Sequence, residues 1–470
     1  MGSTSARPRR WMTGGLAVVV VALLGAGIVA AVVVEPRYPD AWDPRVADLA
    51  DFVARERGLS FDHPVHVDFL ADDEFRRTVT SEDADLSVAN RVDLEQGAAF
   101  LRATGLASGE VDLLDSGNKL SGEATLAYYD PAAERVTVRG TQLSVSVRAT
   151  LVHELTHVLQ DQNFDLKRLG QLPTDGENSA FLAVAEGDAL RVEAQWAAQL
   201  GRGDREALMA ERVNESERVD LGENVPGALV ALFSAPYVLG DPFVAVVFDE
   251  RAQEGLNEAL RAPPKTEEQL LDPYVYLTED AGVPVDRPEL GDADVLLEEG
   301  DFGSLTWFLL LAEHLDPRQA LTAIDGWGGD AYVAFERDAR TCVRIAFRGD
   351  TPGDTAEMAE ALSDWTGAVP ANDASVSRRG EDVVLESCDP GAETGPRGGG
   401  GAEQALIYPV SRTYFTLGAL AGGADQELAR CIGTEFVLGL TPDELLTFNE
   451  VLADPQALAE ESQRAATAYA

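Results

Sequence analysis

Leu151-Val152-His153-Glu154-Leu155-Thr156-His157-Val158-Leu159 is an apolar run carrying two histidines four residues apart, with a glutamate after the first. On a helix, residues four apart lie on one face, so His153 and His157 can present their imidazoles to a single metal ion. Glu154 projects from the neighbouring face, close enough to act on a metal-bound water without being a ligand. Two neutral nitrogens, a third ligand from elsewhere and an open position for water are what a zinc hydrolase requires. Zinc lowers the pKa of bound water from near 16 to roughly 7, within reach of a carboxylate base. The chain has only five histidines (His63, His66, His153, His157 and His314), so few other pairs could compete for the role. The bland alternative is a buried amphipathic helix whose histidines and glutamate would each need separate polar partners.

The flanking sequence supports a metal-binding helix. Residues 122–131 form a mostly apolar run that closes on an Asp130-Pro131 turn, and residues 134–140 alternate as a short strand. Two strands ahead of the helix predict a hairpin whose edge could hold an extended peptide by strand addition. A third ligand is expected on a second helix, and residues 179–196 read as helix throughout apart from Gly187.

His153-Glu-Leu-Thr-His157, followed by Ala185-Glu186-Gly187-Asp188-Ala189, resembles the gluzincin clan of zinc metallopeptidases. The resemblance covers residues 124 to about 196. In that clan the third ligand is a glutamate on a downstream helix, often written Glu-Gly-x-Ala. Carried over by position, it implies a zincin-like fold in which His153, His157 and Glu186 hold Zn2+. Glu154 would be the catalytic base and a peptide or protein the substrate. The departure is spacing: 28 residues lie between His157 and Glu186, against roughly twenty in the thermolysin-like branch. Glu177 stands at that shorter distance, in a loop-like Asp-Gly-Glu-Asn setting, and is the second candidate. Small residues after Glu186 would let its helix approach the first closely. Glu193, seven residues on and on the same face, reads as an outer carboxylate or a solvated charge. Asp188 could orient a ligand histidine through its free N–H, or be a surface acid.

At the start of the chain, residues 1–10 carry Arg7, Arg9 and Arg10 and no acid, and residues 11–34 carry no charge. Residues 14–34 are a dense Val/Ala/Leu/Gly run, which at 1.5 Å per residue spans about 30 Å, the hydrocarbon core of a bilayer. Basic residues before the run and acidic chain after it predict a cytoplasmic tail (1–10), a single-pass anchor (11–34) and an extracytoplasmic remainder. A cleaved secretory signal is the rival, but its apolar region is usually shorter and no clean Ala-x-Ala site precedes Glu35. Arg9-Arg10 faintly resembles a twin-arginine signal. The formal charge is −44, and setting aside the three arginines of residues 1–34 leaves −47. Such a surface disfavours nucleic acid and anionic lipid as partners and suits a salty exterior.

The pattern of elements predicts an α+β protein. Residues 35–60 read as a stalk helix, with Val46, Leu49, Phe52 and Val53 at helical spacing. The zincin-like core is expected over 61–200, with a strand at 64–70, helix within 71–106 and the hairpin at 123–140. His63 and His66 read as scaffold. A mainly helical subdomain over 201–335 is drawn from periodic runs at 204–216, 226–236 and 242–261, broken by prolines, and a buried helix near 303–314, with a glycine-dense turn at 326–330 before a strand at 331–335. A small α/β region over 336–470 follows, with a strand at 341–348, helix at 355–367, strand at 374–388 and last helices near 425–440 and 442–469. A donor for a tetrahedral oxyanion is also needed, and His314, Tyr237 and Tyr332 are candidates, each with core packing as the simpler reading. Cys342 and Cys388 would meet if their strands pair antiparallel, giving a disulfide in an exterior compartment. Cys431 is then the odd thiol, expected to be buried. The glycine-dense stretch 391–401 lacks the Lys-Ser/Thr of a phosphate-binding loop.

Together these readings point to a membrane-anchored extracytoplasmic zinc metallopeptidase. The alternative is a non-catalytic cell-envelope binding or structural module on a zincin scaffold, in which a carboxylate after the first histidine would have no task. A signalling ectodomain is disfavoured by a tail of about ten residues, too short to fold.

Overall fold

A computed structural model describes residues 38–453, apart from positions 83, 85, 223, 279, 281, 370–373 and 395–399. The anchor read at 11–34 and the tail before it lie outside the described residues, as does the end of the last predicted helix. Within the described residues the chain is α+β, with two sheets and many helices.

The first part runs α1 (Ala47–Arg57), β1 (His66–Leu70), α2 (Asp72–Val79), α3 (Val88–Ala103), α4 (Leu113–Ala124), β2 (Ala127–Asp130), β3 (Arg135–Arg139) and α5 (Val145–Phe164). The sheet order is β1-β3-β2, with β1 parallel and β2 antiparallel to β3. The hairpin turns where the Asp130 carboxylate accepts the N–H groups of Ala132 and Ala133, a side-chain mimic of a backbone turn. α5 carries the histidine motif. Ser144 caps it by accepting from Val147 N–H, and its apolar residues point to nearly every side, as expected of a helix enclosed in a core. One wall of that core is α1, whose Leu49, Phe52 and Val53 are buried, with Val46 just before the helix, in the same apolar cluster as Leu151, Val152 and Leu155. The segment read as a stalk is therefore packed onto the motif helix, because burying that apolar face outweighs leaving it on a solvated rod.

Next come α6 (Asp175–Ala198), α7 (Arg202–Ser216) and α8 (Gly227–Arg261). α8 spans 35 residues as two helical segments that meet at a kink at Ala252, well past both of its prolines. The sequence predicts breaks at Pro236 and Pro242. Each removes a helix N–H, yet the helix continues because its apolar residues are buried against α6 and later elements. Among the described residues α8 alone is long and apolar enough to cross a membrane, and half of its apolar window is buried inside the protein.

The two long helices touch backbone to backbone. A Cβ placed on Gly187 would lie 2.1 Å from the Gly240 carbonyl oxygen, and one on Gly240 would lie 2.1 Å from that of Ala183. Small residues after Glu186 thus admit α8, and not the motif helix as expected from sequence. Because the obstacle is backbone, Gly187→Ala forces the helices apart and is expected to destabilise the protein by about 3 kcal/mol. Denaturant midpoints of the full-length chain check this. A loss under ~1 kcal/mol would mean that the helices part freely.

The remainder holds α9 (Glu268–Leu271), α10 (Pro273–Leu277), β4 (Val295–Gly300), α11 (Ser304–Ala312), α12 (Pro317–Ile324), β5 (Trp327–Arg337) and β6 (Arg340–Gly349). It continues with α13 (Pro352–Ala368), β7 (Ser375–Arg379), β8 (Asp382–Cys388), α14 (Gly401–Ala405), α15 (Ile407–Ala421), α16 (Gln426–Leu438) and α17 (Pro442–Ala453). Strands β4 to β8 form one antiparallel sheet in the order β4-β5-β6-β8-β7. Cys342 and Cys388 stand opposite each other on β6 and β8 and are joined in a disulfide, as their strand positions predict. Cys431 is exposed, since its place on α16 faces away from the core, contrary to expectation. The predicted strand at 374–388 is a hairpin of β7 and β8.

The domain limits read from sequence need correction. The 335/336 limit falls inside the β5–β6 hairpin, where ladder pairing holds both halves in one sheet. The mainly helical region 201–335 also supplies two strands, β4 and β5. The region 61–200 does not pack alone: Phe100 of α3 lies against Phe302 and Tyr332, and Arg102 pairs with Asp389 at 2.8 Å. Two large apolar clusters result, one around α5 and the small sheet, the other around α8, α11 and the large sheet, beside a small one of Val333, Phe335, Cys342 and Cys388. α6 belongs to both, giving Ala180 to Ala185 to one and Val192 and Trp196 to the other.

Candidate metal centre

Glu186 sits where the two clusters meet on α6, and it faces the histidines of α5. His153 Nε2 lies 2.9 Å from Glu186 Oε2 and 3.0 Å from His157 Nε2, and His157 Nε2 lies 3.3 Å from Glu186 Oε2. The three atoms form the one group of His, Cys or acidic ligands able to hold a metal ion among the described residues. Four-coordinate ions with bonds of ~2.0–2.1 Å separate their ligand atoms by about 3.3 Å, so the cluster has the right size.

The polar groups behind the imidazoles suit the same role. His157 Nδ1 faces Gln160 Oε1 at 2.9 Å, and His153 Nδ1 faces Glu193 Oε2 at 3.4 Å. Both partners can accept, so a proton on each Nδ1 would leave each Nε2 free to ligate a cation. Burial would depress the histidine pKa values, yet Glu186 raises both. Burial also opposes ionisation of Glu186, but the two imidazoles overcome it and hold its pKa well below the usual carboxylate range.

Glu154 is buried beside this cluster and is not part of it. Burial raises its pKa, Glu186 adds to the rise, and the flanking imidazoles and the Tyr129 backbone N–H oppose it. That N–H comes from β2, the edge strand of the small sheet, so the edge faces Glu154. Of the three candidate oxyanion donors, Tyr237 alone borders the centre. Its ring lies 6.3 Å from that of His153 and its hydroxyl donates to Glu186, whose charge raises the phenol pKa far above its ordinary value and keeps it protonated. His314 instead meets the Gly105 carbonyl at 2.7 Å, and Tyr332 is buried with Glu298 in the far core. His63 stacks on Tyr38 and lies 3.3 Å from Glu134, a scaffold role.

A family model described as "Domain of unknown function (DUF8575)" matches residues 294–393. It takes in the whole five-stranded sheet and none of the metal-centre residues. No curated protein and no solved structure matches the chain.

The outer residues differ from expectation in part. Glu177 lies in the first turn of α6, not in a loop, because Thr174 caps that turn by accepting its N–H. At nine residues from Glu186 it stands about 13 Å away along the helix. Glu193 is the acceptor behind His153 and is ion-paired with Arg212 of α7. Asp188 does not meet a ligand histidine. Gln160 takes that place: its amide oxygen faces His157, while its nitrogen donates to the Ala185 carbonyl at 3.0 Å and to Asp188 at 2.9 Å. Gln160 escaped the sequence reading, although a polar residue seven after His153 in an apolar stripe was a signal.

Proposed function

We propose that the protein is a membrane-anchored, extracytoplasmic zinc metallopeptidase on a gluzincin-type, zincin-like core. The observation that carries this reading is the convergence of His153, His157 and Glu186 beside a carboxylate that is not a ligand. Zinc held by these three residues would polarise a carbonyl and acidify a water molecule. Glu154, buried and with a raised pKa, is suited to take the proton of the attacking water and pass it to the leaving amine. The Tyr237 hydroxyl, kept protonated by the neighbouring Glu186, can donate to the developing oxyanion.

The edge of β2 supports a peptide as substrate. The Leu126 carbonyl turns inward to accept Arg139 N–H, so by alternation the polar groups of Ala127 and the Tyr129 carbonyl face outward. An extended chain added along this edge would pass Glu154. The Cys342–Cys388 disulfide supports an oxidising, extracytoplasmic setting, and residues 11–34 supply the anchor.

The test is hydrolysis of an unfolded protein by the full-length chain in detergent. Activity should vanish when a strong chelator removes the metal and return when zinc is added. Full activity with metal brought to background would overturn the reading.

A further inference from the structure

We propose that helix α1 positions the metal ligand His157 through a buried relay, Arg57 to Asp188 to Gln160. This inference rests on the metal reading above and assigns residues that the ligand motif does not contain. His157 Nδ1 needs an acceptor held in place, and an amide is ambiguous because rotation by half a turn would present a donor. Here both hydrogens of the Gln160 nitrogen are engaged, one by the Ala185 carbonyl and one by Asp188 Oδ2, which fixes the oxygen toward His157. Asp188 is fixed in turn by Arg57 Nε at 2.9 Å, and Arg57 Nη2 donates to Asn257 of α8 at 3.1 Å. The side chains of Arg57 and Asp188 are fully buried.

Stability alone does not account for the pair. Arg57 Nη1 and Asp188 Oδ1 have no hydrogen-bond partner among the described residues, so a buried ion pair is kept although incompletely satisfied, and an apolar pair would avoid that cost. What the charges do supply is a strong, directional acceptor for the Gln160 nitrogen. Arg57 is the last residue of α1, the first described helix after the predicted anchor. The relay therefore ties the membrane-proximal helix to the ligand geometry of α5.

The experiment measures zinc affinity of the full-length protein in detergent by competition with a chromophoric chelator. Three variants are compared with the parent: Gln160→Leu, the pair Arg57→Met/Asp188→Leu, and all three changes together. Gln160→Leu leaves the ion pair intact and should weaken zinc binding about 10–100-fold. The charge-free pair should weaken it about tenfold or more, and adding it to Gln160→Leu should cause no further loss, because both act through one amide. Parent-like affinity in Gln160→Leu, or losses that simply multiply in the triple variant, would overturn the relay. A parent that binds no zinc would instead remove the metal reading itself. Should the paired variant not fold, Gln160→Leu alone decides the first step.

Discussion

Glu154→Gln lowers kcat for peptide hydrolysis by about 10²–10⁴-fold, the usual worth of a positioned general base, while the metal content is unchanged. The replacement keeps the side chain's size and an oxygen able to accept the Tyr129 N–H that steadies Glu154. It removes only the capacity to take a proton. Because the three convergent ligand atoms belong to His153, His157 and Glu186, the change leaves all of them in place. Steady-state rates on an unfolded substrate, beside zinc content of the same preparation, read both halves of the expectation. Undiminished hydrolysis would remove Glu154 from the chemistry. An inactive parent with full metal content would favour the binding or structural module instead.

Arg57→Met destabilises the fold by about 3 kcal/mol, since it removes the nearer, hydrogen-bonded cation of the buried Asp188 carboxylate and leaves only Arg191 Nε at 3.8 Å. The comparison with a surface pair sets the scale. Arg202 and Glu206 are 2.8 Å apart, but both are largely exposed, and Arg202→Ala should cost under ~1 kcal/mol. The distances differ by only 0.1 Å, 2.9 against 2.8 Å, so burial decides the difference. Adding Asp188→Leu to Arg57→Met should recover most of the loss, because no charge is then stranded. Denaturant unfolding of the full-length chain checks this, and an Arg57→Met variant as stable as the parent would show that water reaches Asp188.

Much of the centre was legible because it depends on short-range geometry. Two histidines four apart on an apolar run share a face in any helix, and Glu186 stands out by its Glu-Gly-x-Ala setting. Strand alternation likewise placed Cys342 opposite Cys388. The parts that were not legible depend on long-range packing. Arg57 meets Asp188 from 131 positions away, and no local pattern links them. The apolar stripe of α1 predicts a helix, but spacing does not name its partner surface on α5, so the sequence alone yields only a stalk. Pro236 and Pro242 read as breaks because helix propensity weighs backbone hydrogen bonds, whereas burial of the long apolar face against α6 decides the outcome. Gly187 was seen as a close approach, yet only the fold shows that Gly240 of α8 fills the space.

Zinc analysis of the purified full-length protein, beside His153→Ala, Glu186→Ala and Glu177→Ala, tests the central claim most directly. The account predicts about one zinc per chain, lost in His153→Ala and Glu186→Ala and kept in Glu177→Ala. A parent without zinc, or a Glu186→Ala variant that keeps it while Glu177→Ala loses it, would contradict the account.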